Sequence, residues 1–233
     1  IMNFFLYDGS FDGLLTSIYE AYYREKKPDE IIKKSKYQKN LFADIYNIRT
    51  DNKKASKVAK AIKNKISSYS FKNIYYCYLS EENGVENDIY YYLKIAFREG
   101  RSIEKNWTDD RVLRIKKLSK KVARERHKFL GLLRFRRLKE GILYAPFEPD
   151  YNILPIISNH FASRMKNMKW VIHDKKRELA VIYDKKEWLM IDAKELPKIY
   201  FANDENFYQS LWKQFFESIT IENRKNLKLQ SNF

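Results

Sequence analysis

RVLRIKKLSKKVARERHKFLGLLRFRRLK, residues 111–139, joins a helical pattern to an alternating one, and the chain on either side sorts accordingly. Ile115, Leu118, Val122 and Phe129 recur at helical spacing and point to a core, with Glu125 or Arg126 at the missing turn. Arg114, Lys117, Lys121, Arg124 and Lys128 follow a 3,4,3,4 spacing and form a second stripe with no acid in it. At 1.5 Å rise per residue that stripe is about 21 Å long. The whole stretch holds 13 Lys and Arg against one acid, Glu125, so it carries +12 of the formal net charge of +16. Such a run is either a solvated face or a surface for a polyanion. Solvated faces interleave both signs, because like charges at i,i+4 repel by a few tenths of a kcal/mol. The one-sign stripe favours nucleic acid. After Leu130-Gly131 the pattern LLRFRRL alternates, which predicts a strand carrying Arg134 and Arg136 onto a sheet.

Upstream, helices dominate. Asn3–Tyr7 reads as a strand ending in the turn DGS, followed by a helix from Phe11 that Ser10 caps. The segment YDGSFDG is open to two readings, a phosphate-binding strand-to-helix loop or an ordinary capped helix start. Pro28-Asp29 predicts a short helix and 42–49 a strand. Asp51 predicts a cap for a helix from Lys53 to about Ser68. Residues 71–79 and 89–97 read as two further helices, the second ending at Gly100. Tyr90, Tyr91 and Tyr92 cannot all face a core, so at least one tyrosine is exposed, either as an ordinary helix flank or to stack on a base. Asp109 or Asp110 caps the basic helix.

Downstream, 142–149, 169–174, 178–184 and 187–192 read as strands, the last three as a meander joined by turns at 174–177 and 184–186. A helix over 153–165 separates the first two. Asp204 predicts the cap of a last helix bearing Leu211, Trp212, Phe215, Phe216 and Ile219, with a basic tail after it. The expectation is an α+β protein, with a helix-rich N-terminal half and a mainly antiparallel sheet in the C-terminal half. It is expected as one compact unit over 1–233, with 110/111 as the place where it would subdivide.

At 233 residues, 44% hydrophobic and 16% aromatic, the chain can bury a substantial core. A single cysteine, Cys77, excludes an internal disulfide and a Cys-rich zinc or iron–sulfur site. No apolar run approaches a membrane span and no signal-peptide pattern is visible, so a cytoplasmic location is expected, without a membrane partner.

Three histidines limit the chemistry. No HxxxH, HxH or HExxH spacing occurs, and GxSxG, P-loop and GxGxxG patterns are absent, so neither a metal nor a bound cofactor is expected. Asp192-Ala193-Lys194 is a lone match to a nuclease strand motif. The most coherent polar cluster is His160 with Arg164 one turn on, plus Asp174 and Arg177. His160 and Asp174 are the candidate catalytic pair, and Arg164 and Arg177 candidate phosphate contacts. The competing reading is a helix-to-sheet hydrogen-bond network. Trp107, Trp170, Trp188 and Trp212 are expected in the core.

The segments YDGSFDGLLTSIYEAY (7–22), KKVARERHKFLGLLRF (120–135), EPDYNILPIISNHFASR (148–164), WVIHDKKRELAV (170–181) and LWKQFFESITIENRKNLKLQ (211–230) together resemble the bacterial "probable DNA metabolism protein" family. Its members are encoded beside a radical SAM protein associated with DNA modification or repair, and some are fused to a uracil-DNA glycosylase-like domain. The resemblance implies a DNA repair or modification factor with a radical SAM partner, which would carry the iron–sulfur cluster and SAM. The polar positions it matches are Asp8, Ser10, Arg124, Glu125, His127, Arg134, His160, Arg164, Asp174, Arg177, Arg224 and Asn226. Tyr151 stands where the family's segment has a histidine, which weakens any mechanism needing that group. Two other functions remain open: a DNA-processing enzyme (glycosylase, lyase or nuclease) using His160, and a basic protein–protein adaptor.

Overall fold

A computed structural model describes residues 2–38, 42–138 and 141–195. The last expected helix from Asp204, the basic tail, Trp212, Arg224 and Asn226 lie outside the described residues. The chain divides into two compact units, Ile1–Ala123 and Arg124–Phe233.

The first unit is built on a parallel sheet. Strand β1 (Met2–Tyr7) lies between β2 (Glu30–Lys33) and β3 (Ala43–Asn47), both parallel to it. Phe4, Phe5, Leu6 and Tyr7 are all buried, as expected of a central strand covered on both faces. Helix α1 (Phe11–Tyr23) follows β1, and Ser10 accepts the Gly13 amide as its cap. Helices α2 (Asn52–Lys65), α3 (Ser68–Leu79) and α4 (Val85–Glu99) complete the unit, with Asp51 capping α2 through the amides of Lys53 and Lys54. The helix expected from Pro28-Asp29 does not form, and β2 begins directly after them at Glu30. Asp29 turns its carboxylate to the Asn3 amide at 2.7 Å, and Ile31 pairs with Phe5 in the ladder. Pairing with a distant strand outweighs a local helix-start signal.

Helix α5 (Asp110–Leu132) carries the chain into the second unit. Gly131 does not end it; the Leu133 amide still reaches the Phe129 carbonyl, so a glycine costing about 1 kcal/mol is retained in the last turn. The strand expected from LLRFRRL is correspondingly short, β4 (Arg136–Arg137), while Phe135 packs edge-on against Phe161.

The sheet continues through β5 (Leu143–Phe147), β6 (Trp170–Asp174), β7 (Leu179–Tyr183) and β8 (Trp188–Asp192), in the order β4-β5-β6-β7-β8. The expected meander of β6, β7 and β8 is present. The sheet as a whole is mixed rather than antiparallel, because β5 and β6 run parallel. Helix α6 (Leu154–Arg164) occupies the connection between them, and a helical crossover is how parallel neighbours are joined. An α+β fold is thus present, with a parallel sheet in the first unit that the sequence did not announce.

Candidate nucleic-acid interface

The basic helix is set by its own cap and its buried side. Asp109 accepts the amides of Arg111 and Val112, starting α5. Val112, Ile115, Leu118, Ser119 and Val122 are buried. Rotating from that side by the helical period leaves Arg114, Lys117, Lys121, Arg124 and Lys128 exposed, joined by Lys120 and His127.

Not every cation of the stretch is free. Arg114 places Nε 2.7 Å from the Asp88 carboxylate on α4. Lys116 leaves the outer face altogether. Its ammonium donates to the carbonyls of Glu104 and Asn106 and lies 3.9 Å over the Trp107 ring, and burial lowers its pKa. Trp107, expected in the core, is 65% exposed beneath that lysine, whereas Trp170 and Trp188 are buried.

The missing turn of the apolar stripe has an explanation in the second unit. Glu125 accepts the amides of Asp150 and Tyr151 at 2.6 and 2.8 Å, and Arg126 donates Nε to the Ile156 carbonyl at 3.0 Å. Both half-buried side chains tie α5 to the loop and helix after β5. The one acid of residues 111–139 is therefore occupied by backbone amides, and among the described residues it forms no ion pair with the exposed lysines.

The candidate catalytic cluster separates into two. Asp174 is fully buried, pairs with Arg177 at 3.1 Å and accepts the amides of Lys176 and Arg177. Burial holds its pKa above the ordinary carboxylate value, against the opposing pull of Arg177. Arg177 also donates to the carbonyls of Pro149 and Asp150, so it faces inward and does not join the exposed cations. His160 belongs elsewhere on α6. Its Nε2 has no hydrogen-bond partner, and burial, then the charges of Arg164 and Arg126, lower its pKa. No hydrogen bond joins His160 to Asp174 among the described residues. Arg134, Arg136 and Arg164 are exposed.

The DGS turn resolves as a capped helix start. Asp8 accepts the Ser10 amide and hydroxyl through Oδ1 and the Thr50 hydroxyl through Oδ2. Burial raises its pKa, but these hydrogen bonds outweigh it and hold the carboxyl below its ordinary value. The protein's own carboxylate thus stands where a phosphate would be expected at the N-terminus of α1.

Among the described residues, no three His, Cys, Asp or Glu side chains gather to hold a metal ion, and no helix is long and apolar enough to cross a membrane. A family model described as a domain of unknown function, DUF4130, matches residues 83–233. The chain belongs to the DUF4130 family. No curated protein matches it. The DUF4130 match takes in α4, α5 and the second unit, so the basic helix lies inside the family's domain, while β1 to α3 lie before it.

Proposed function

We propose that this DUF4130 protein binds nucleic acid, DNA foremost, along the exposed face of α5, as a repair or modification factor acting with a radical SAM partner. The observation that carries the binding is the exposed row Lys117, Lys121, Arg124 and Lys128, none of them ion-paired among the described residues, whose only neighbouring acid in the stretch, Glu125, is bound to backbone amides. Arg134, Arg136 and Arg164 are further exposed cations of the second unit. The DNA context and the partner rest on the family resemblance.

Binding of phosphates by lysine and arginine is independent of base sequence and releases counterions, with a log–log salt slope of about −0.9 per phosphate neutralised. Replacing Lys117, Lys121 and Arg124 with glutamate is therefore expected to weaken binding and to flatten the slope by about 0.9 for each phosphate no longer neutralised. Unchanged affinity and slope would sink the reading. Co-purification with the radical SAM protein, repeated after nuclease treatment, tests the partner: loss of the complex on digestion means nucleic acid bridges them.

His160 supports a second reading, a DNA-processing enzyme. A neutral imidazole with an unpartnered Nε2, beside the cationic Arg164, suits a general base near a phosphate. Product from uracil-containing or damaged DNA, lost in His160→Ala, would favour it.

A further inference from the structure

The three tyrosines at the end of α1 leave the core. Tyr22 is 43% and Tyr23 75% exposed, while Ile18 and Ala21 of the same turns are buried. Tyr22 meets Phe97 of α4 edge-to-face at 5.7 Å and 89°, and Tyr19 lies 4.4 Å from Tyr23. Of the Tyr90–Tyr92 run, Tyr90 and Tyr92 are buried and Tyr91 is the one left half-exposed.

Two clefts flank the Tyr22–Phe97 pair and share both rings. The first, of about 480 Å³, runs to Tyr91 and Ile95; the second, of about 350 Å³, runs to Tyr19, Tyr23 and Val58. Their charged lining is Lys94, Arg98 and Arg111 in the first and Lys57 and Lys65 in the second, and neither has a carboxylate. Several of these cations already sit against rings. Lys94 is 5.5 Å and Arg111 6.0 Å from the centre of Tyr91, and Lys57 is 5.8 Å from that of Tyr19. Arg111 stands in the first turn of α5, one turn before Arg114, and its guanidinium also lies 3.4 Å from the Asp109 carboxylate.

We propose that this cleft binds unpaired nucleic acid, stacking bases on Tyr22, Phe97 and Tyr91 while the strand's phosphates follow the cations from Lys65 and Lys94 through Arg111 onto α5. The inference rests on the nucleic-acid reading and narrows it to single strands. The occupant follows from complementarity. Aromatic faces ringed by five cations would repel a second copy of the same surface. A duplex keeps its base faces stacked inside, so it could use the α5 row but would leave the rings idle. A strand with free bases uses both, and base–aromatic stacking is tolerant of sequence because every base has a π-face.

The test is fluorescence anisotropy of the whole chain at one salt concentration, with four probes: a labelled oligothymidylate of roughly 12 nucleotides, a fully abasic strand of that length, a blunt duplex and poly-glutamate as competitor. The oligothymidylate is expected to bind about tenfold or more tighter than the abasic strand or the duplex. Tyr22→Ala with Tyr91→Ala should weaken oligothymidylate binding by about tenfold or more and leave the duplex and the salt slope unchanged, while Tyr22→Phe retains binding. Lys117→Glu with Lys121→Glu should weaken strand and duplex together.

If that charge reversal leaves every probe unaffected, the nucleic-acid reading itself fails. If it weakens binding but the abasic strand binds as tightly as oligothymidylate, the stacking inference alone is overturned. The same holds if poly-glutamate competes as well as a strand of equal charge. The abasic comparison uses the unaltered protein, so a variant that fails to fold leaves a decisive measurement in place.

Discussion

Asp174 and Arg177 pair at 3.1 Å with the carboxylate fully buried, and the arginine side chain is only 11% exposed. Through that pair Arg177 holds the carbonyls of Pro149 and Asp150, while Glu125 holds the amides of Asp150 and Tyr151. One loop is thus gripped by its acceptors through the sheet and by its donors through α5. Removing one partner of a buried pair leaves the other charge uncompensated, at a cost of about 3–5 kcal/mol. Asp174→Ala and Arg177→Met are therefore expected to destabilise the second unit by that order. Glu125→Ala, which strands amides near solvent, should cost about 1–3 kcal/mol. Urea unfolding measures all three. A loss of DNA affinity in Arg177→Met without loss of stability would instead make Arg177 a phosphate contact.

His160 and His173 both have pKa values lowered below 6.5, in each case chiefly by burial. Between the folded value and 6.5 the unfolded chain binds more protons than the folded one, so stability rises with pH. The contribution is complete above about pH 6.5 and is lost as pH falls through that value towards the folded pKa. Thermal unfolding across this window should show a falling midpoint on acidification, and His160→Asn should make the decline shallower. A midpoint that rises on acidification in this window would contradict the assigned burial.

What sequence could and could not show follows from the range of the interactions. The caps Ser10, Asp51 and Asp109 were legible because a side-chain oxygen reaches an amide two or three residues on. The exposed row on α5 was legible because helical period alone separates it from Ile115, Leu118 and Val122. Strand β2 was not, since its partner Phe5 lies far off in sequence and Pro28-Asp29 gives the opposite local signal. Likewise, Arg177 looks like a free cation until the carbonyls of Pro149 and Asp150 are brought to it. Which of Tyr90, Tyr91 and Tyr92 stays outside depends on neighbours that periodicity does not name.

Gly13 is required by its close neighbours. A Cβ there would lie 2.3 Å from Asp8 Oδ1, 2.9 Å from Thr50 Oγ1 and 3.0 Å from Ser10 Oγ. Alanine would gain about 1 kcal/mol of helix propensity, but overpacking costs about 1–3 kcal/mol and displaces the cap as well. Gly13→Ala should therefore be net destabilising, by about 1–2 kcal/mol in chemical unfolding. In an Asp8→Ala background the nearest clash is gone while the two hydroxyls remain. The double-mutant cycle should then show a coupling of about 0.5 kcal/mol or more, and strict additivity would mean that Asp8 does not set the requirement.

Arg114 is the member of the α5 row whose charge is answered, by Asp88 at 2.7 Å. It should accordingly contribute less to phosphate binding than Lys117 or Lys121, although all three share the face. Asp88→Asn removes the competing charge without changing the side chain's size. It is expected to free Arg114 for a phosphate, strengthening binding at low salt and steepening the log–log slope by about 0.9. Arg114→Gln in the unaltered chain should change the slope by less than Lys117→Gln does, and in the Asp88→Asn background by as much. Salt titrations of the four variants decide the matter: an Asp88→Asn protein with the parental slope would mean that Arg114 never reaches the polyanion.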